Sequence, residues 1–232
     1  MRAIRHLDRH GGPAALATSG DPVPGVGTRR LVTAADPSKV VGVFQLDPVS
    51  RQRASATWRV TLTDPNVGLR VAELLDGHLR SPTESGAVEV VTQVTEVGIL
   101  LAGPDAVRLE WFRSAASPAC DGTVSAGRPC TCPSSFVARR ASARRGSGCE
   151  PNAHVRFRLG AAPEAGLFSI VSGNWSFAEE AVSTAGALRE HAPVDRWLSR
   201  RETTCMQRSG RSMTYTRTAI KEPVDLAHAL DQ

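Results

Sequence analysis

Four cysteines, Cys120, Cys130, Cys132 and Cys149, fall within one short stretch of a 232-residue chain whose fifth and last cysteine is Cys205. Gly, Pro and Ser crowd between them, so this stretch holds too little apolar material to order itself by burial. Thiolates are soft ligands, and a structural zinc is usually closed by four Cys or His donors in a tetrahedron. Residue type and number therefore point to one structural Zn2+ held by Cys120, Cys130, Cys132 and Cys149. The spacing is irregular, and a pair of disulfides or a set of ordinary buried thiols are the competing readings. Cys130 and Cys132 stand two apart in a turn, which rarely buries both sulfurs, and disulfides need an oxidising compartment. His154 could replace one thiolate. Four protein ligands would leave no open position for water, so such a zinc would hold structure and hydrolyse nothing.

The same stretch carries Arg139, Arg140, Arg144 and Arg145, candidates for contact with phosphate or with a protein partner. The competing reading is plain solvation, since a surface charge is usually worth less than ~1 kcal/mol. The net charge of +5 and pI near 9.3 permit a nucleic-acid surface. They do not require one: of the 28 basic residues only Lys39 and Lys221 are lysines, a bias that a GC-rich genome produces unaided. With aromatics at 5% there is little of the interleaving that stacks bases.

Other chemistry is missing from the sequence. It contains no phosphate loop, Gly-x-Ser-x-Gly elbow, His-Glu-x-x-His helix or dinucleotide fingerprint. His6, His10, His78, His191 and His228 have no neighbouring carboxylates or thiols that would make a constellation. We expect no enzyme and no small-molecule substrate. The charged start lacks a signal-peptide core and no run approaches the ~18 apolar residues of a membrane span, so the expectation is a cytoplasmic protein without membrane contact.

The elements that must position these residues follow from periodicity. Trp58, Val60 and Leu62 alternate as in a half-buried strand. Asp64 caps a helix with Pro65 at its first position and Val67, Val71, Leu74 and Leu75 as its stripe, closed at Gly77. Ala87 to Leu101 is β-prone, and Val107, Leu109 and Trp111 alternate after the turn Gly103-Pro104-Asp105. Val155, Phe157 and Leu159 alternate beyond the cysteines, with another strand at Phe168 and Ile170. Ser176 to Glu179 reads as a capping box, opening a helix from 177 to about 190. Ser212 to Thr218 is strand-like. The expected fold is α+β: a mostly antiparallel sheet with one wet face, two main helices and a zinc-stabilised loop insert at 114–152. The single domain would span 39–220, between a flexible arm at 1–38 and a tail at 221–232.

The order of motifs is similar to something specific. Trp58-Arg59-Val60-Thr61-Leu62-Thr63-Asp64-Pro65, Cys120-Asp121-Gly122, Cys130-Thr131-Cys132-Pro133, Gly148-Cys149-Glu150-Pro151, Val155-Arg156-Phe157-Arg158-Leu159 and Ser172-Gly173-Asn174-Trp175-Ser176 resemble the recombination directionality factors that partner large serine integrases in actinobacterial phages and integrative elements. The resemblance spans roughly Lys39 to Thr218. It implies a zinc-containing adaptor without enzymatic activity that docks on a serine integrase bound to attachment-site DNA. It implies also that the factor activates recombination between the hybrid left and right sites and inhibits the phage and bacterial pair, touching DNA weakly or indirectly. Such a factor would work in the bacterial cytoplasm, at the nucleoid through integrase. A zinc-dependent DNA-binding regulator is the alternative; against it, no helix-turn-helix or finger helix is visible after the cysteines.

Overall fold

The computed structural model describes residues 40–46, 57–80, 86–112, 124–125, 128–129, 132–206 and 210–223. The expected arm at 1–38, and the tail beyond 223, lie outside the described residues. In chain order the elements are β1 (Gly42–Leu46), β2 (Trp58–Leu62), α1 (Pro65–Leu74), β3 (Gly77–Arg80), β4 (Val88–Thr92), β5 (Glu96–Leu101) and β6 (Val107–Phe112). There follow β7 (Val124–Ser125), β8 (Arg128–Pro129), α2 (Phe136–Arg144), β9 (Glu150–Leu159), β10 (Phe168–Ser172), α3 (Trp175–Glu190), β11 (Val194–Met206) and β12 (Ser212–Lys221).

Ten strands make one sheet in the order β12-β11-β5-β9-β10-β1-β2-β4-β3, with β6 also on β9; β7 and β8 form a separate two-stranded ribbon. Among the described residues every pairing is antiparallel except β1 with β10, where Gly42, Val43 and Phe44 stand beside Phe168, Ser169 and Ile170. Strand β9 is the longest stretch of shared ladder near the middle. Its first six residues pair with β6, its last two with β5, and its other side with β10. Both β5 and β6 thus reach β9 from one edge, joined by a short 3-10 turn at Pro104–Ala106.

The period-two pattern explains which face is covered. Phe44, Trp58, Val60, Val90, Val155, Phe157, Phe168 and Ile170 are all essentially buried and point to the side carrying α1 and α3. Phe44 is the hub of this core, its ring centroid 5.4 Å from Phe157, 5.7 Å from Phe168 and 6.2 Å from Trp58. Tilted and edge-on aromatic contacts of this kind add to the burial of apolar area. The opposite face carries Gln45, Arg59, Thr61, Glu89 and Arg156, all half-buried. This is the wet face expected from the alternation.

Helix α1 begins as its sequence requires: Asp64 is the N-cap and its carboxylate accepts from the Asn66 amide at 2.8 Å. Its end differs from expectation. Asp76, at φ 46°, makes the left-handed turn, and Gly77 opens β3 instead. A side chain at Gly77 would stand 2.9 Å from the Val91 carbonyl of β4, so glycine is needed there for close approach. Helix α3 starts two residues before the expected capping box. Asn174 is the N-cap, its Oδ1 accepting from the amides of Ser176 and Phe177. The helix is fastened to the sheet edge by Glu180, which accepts from Arg217 at 3.0 Å and from the Ile220 amide at 2.9 Å.

Two further corrections concern number and extent. Three α-helices are described where two were expected, because α2 forms inside the supposed loop insert. The hairpin of β11 and β12 is longer than the strand-like run at Ser212 to Thr218 foretold, pairing from Trp197 with Lys221 out to Met206 with Ser212. Only Val194 to Ser199 of β11 also pair with β5, so the outer half of the hairpin extends past the sheet.

Truncating the aromatic hub tests this core. Phe44→Ala should lower unfolding free energy by about 3 to 5 kcal/mol, the usual cost of deleting a fully buried phenylalanine. Urea denaturation measures it, and a loss below ~1 kcal/mol would show that Phe44 is not central to the packing.

Candidate partner-binding site

The cysteine region is organised by aromatic rings. Trp111 at the end of β6, Phe136 at the start of α2 and Trp175 at the start of α3 form a triangle with centroid separations of 5.4, 5.7 and 6.0 Å. Cys132 and Cys149 pack against it, and Cys149 is buried. Their Sγ atoms lie 3.2 Å apart, and the Cys149 amide points at Cys132 Sγ at 3.4 Å. Chain geometry makes this meeting possible at Gly148, where a Cβ would stand 2.7 Å from the Ala143 amide nitrogen. Only glycine lets the chain pass so close to the end of α2.

The expectation of a structural zinc on four thiolates is overturned. Among the described residues no group of three or more His, Cys, Asp or Glu side chains could hold a metal ion. Cys120 and Cys130 lie outside the described residues, and Cys132 with Cys149 supplies two donors where a closed tetrahedral site needs four. The spare ligand His154 is engaged elsewhere, with Nε2 3.0 Å from Asn152 Nδ2 and 3.2 Å from Glu110 Oε2. Sequence spacing counted sulfurs, while the packing here is built from Trp111, Phe136 and Trp175.

Helix α2 explains the arginines. Ser135 caps it, its hydroxyl accepting from the Ala138 amide at 3.2 Å. Arg139 is turned inward and only 7% exposed. Its guanidinium carbon sits 4.5 Å from the centre of the Trp111 ring, and its Nε donates to the Pro133 carbonyl at 2.5 Å. The expectation that Arg139 faces a partner is therefore corrected: it faces tryptophan. Arg140 is half-buried, and Arg144 and Arg145 are exposed. Arg140 and Arg144 line an open groove of about 300 Å³ with Val137, Ala141 and, across from α2, Glu179 of α3. Val137 and Ala141 were not singled out from sequence, and Glu179 was read only as part of a capping box. Helical spacing of Val137, Arg140, Ala141 and Arg144 was the signal that places them on one face.

A second polar cluster lies on the wet face of the sheet. Glu110 is nearly buried and takes Arg108 at 2.7 Å and His154 at 3.2 Å. Desolvation pushes the His154 pKa below its usual value, with Arg108 acting in the same sense and Glu110 opposing both. The cluster has no nucleophile beside it among the described residues and reads as an ion pair between buried Glu110 and exposed Arg108, with His154 beside it.

Residues 29–220 match the model of the Gp3-like family, recombination directionality factor-like. The chain belongs to this family. Membership assigns it a regulatory role in recombination, and the match covers the sheet and all three helices. No solved structure matches the chain. No helix among the described residues is long and apolar enough to cross a membrane.

Arg139→Ala should destabilise the protein by about 1 to 3 kcal/mol through loss of the cation-π contact and the buried hydrogen bond. Arg145→Ala should change it by less than ~0.5 kcal/mol; thermal melting with hydrogen exchange over α2 compares the two, and equal effects would refute the inward placement. His154 has a lowered pKa in the folded state, so below its ordinary value near 6.5 the unfolded chain binds the proton first and stability falls as pH falls. Urea midpoints between pH 7.5 and 5.5 should therefore drop less in His154→Asn than in the parent protein.

Proposed function

We propose that this protein is a recombination directionality factor that binds a serine integrase on attachment-site DNA and turns it from integration to excision. The observation that carries the reading is the family match over residues 29–220. Its functional unit would be one α+β domain over 39–220, with the arm and tail as appendages. Serine recombination exchanges phosphodiester bonds through a covalent protein–DNA intermediate without ATP, so bond chemistry gives no direction. Direction has to come from differential binding. Moving a two-state assembly from 1:99 to 99:1 takes about 5.5 kcal/mol, which an interface of about 1,600 Å² can provide.

The factor does this without chemistry of its own, and the half-buried Arg140 with the exposed Arg144 and Arg145 supplies contacts to integrase or to the phosphates it holds. DNA is touched weakly or indirectly, and the setting is the bacterial cytoplasm at the nucleoid. The alternative, a zinc-dependent DNA-binding regulator, loses the metal it depends on. One observation does favour it: a basic helix, α2, begins four residues after Cys132 and lies between Cys132 and Cys149.

The test is recombination in vitro with the cognate integrase and both pairs of sites, across a titration of the factor. Recombination of the hybrid left and right sites should switch on and that of the phage and bacterial pair should switch off, saturating at a fixed ratio to integrase. Equal effects on both pairs, or excision unchanged without the factor, would remove the assignment.

A further inference from the structure

The outward side of α2 is not accounted for by the fold. Val137 is 77% exposed, more than any other large hydrophobic side chain among the described residues. Residues 137, 140, 141 and 144 follow helical spacing, so Val137 and Ala141 form an apolar strip bordered by the guanidinium groups of Arg140 and Arg144. Across the groove stands Glu179, and one turn farther along α3 is Val182, itself 43% exposed. Neither Arg140 nor Arg144 has an ion pair among the described residues, whereas Arg70, Arg108, Arg196 and Arg217 each take a carboxylate. An exposed apolar anchor ringed by uncommitted charge is the composition of an interface centre and its rim.

We infer that the groove between α2 and α3 docks a protein segment that sets one apolar side chain on Val137 and Ala141 and carboxylates against Arg140 and Arg144. Charge and polarity choose this occupant over a nucleic acid. A DNA backbone would bring phosphates towards Glu179 and towards the carboxyl end of α2, the negative end of its helix dipole. It would also leave Val137 uncovered. An acidic segment with an apolar anchor satisfies Val137, Ala141, Arg140 and Arg144 together, and a basic side chain beside the anchor would meet Glu179. The inference rests on the proposed integrase reading, and the segment is one that integrase presents.

The experiment uses the full chain and purified cognate integrase, with affinity measured by titration calorimetry. Val137→Asp, and the pair Arg140→Glu with Arg144→Glu, should each weaken binding by about ten-fold or more. Val137→Ile should keep the parent affinity, and so should Arg201→Glu on the exposed hairpin. Because these positions face solvent, melting curves should match the parent; if Val137→Asp shifts its curve, Arg140→Gln with Arg144→Gln, expected to weaken binding several-fold, decides the question. Integrase binding by the parent protein but unchanged affinity in the groove variants would overturn the docking site and leave the integrase reading standing. Absence of binding by the parent would remove the reading and the inference with it. Variants that lose affinity for attachment-site DNA in fluorescence anisotropy, yet bind integrase normally, would identify a nucleic-acid groove and refute the proposal.

Discussion

One-sided burial along β9 is the constraint on which the rest of the structure depends. Ala153, Val155, Phe157 and Leu159 are buried on the helix side, while His154, Arg156 and Arg158 turn to the other. A shift of one residue would exchange the two sets and put guanidinium groups into the core. Because β9 pairs with β5, β6 and β10, its register fixes theirs, and through β10 that of β1 and β2. The buried Glu110 with Arg108 and His154 is a by-product of the same register: β6 sets Glu110 opposite Asn152 and Arg108 opposite His154.

At the start of β9 the chain emerges from the aromatic corner of Trp111, Phe136 and Trp175, and this corner couples three elements that are far apart in sequence. It brings α2 alongside α3 and so creates the groove between them. Arg139 contributes by placing its guanidinium over the Trp111 ring while its Nε donates to the Pro133 carbonyl, two contacts that a weakly hydrated cation with several donors makes together. The two kinds of arginine on α2 thus divide the work: one is a structural side chain, the others are presented outward.

Much of the sheet was legible because burial on one face writes itself into alternation. Trp58-Val60-Leu62, Val107-Leu109-Trp111 and Val155-Phe157-Leu159 all became strands. The outer half of β11 was not legible, because Arg201, Glu202, Thr203 and Thr204 extend past the sheet where no face is buried. Helix α2 was hidden for the opposite reason: its buried positions include Arg139 and Ser142, polar residues that no apolar stripe would reveal. At α3 two neighbouring side chains, Asn174 and Ser176, were both competent caps, and only tertiary position selected the first. Cysteine spacing supplied donors without distances, so the zinc it suggested was an inference about number and not about geometry. The groove residues share one helical face, yet nothing in sequence alone said that α2 existed to carry them.

The one parallel pairing among the described residues, β1 with β10, has a kinetic meaning. Gly42 and Phe168 are neighbours in space but lie more than half the chain apart, and the intervening residues must be made before the ladder can close. Long-range closure of this kind slows folding, since chain entropy is lost before contacts compensate. On the ribosome β1, β2, β4 and β3 could join early with α1, but the β10 side of β1 would stay unpaired and Phe44 would lack Phe168 until β10 emerged. A chain stopped before residue 168 would therefore keep one open strand edge beside β1, a template for pairing with other chains.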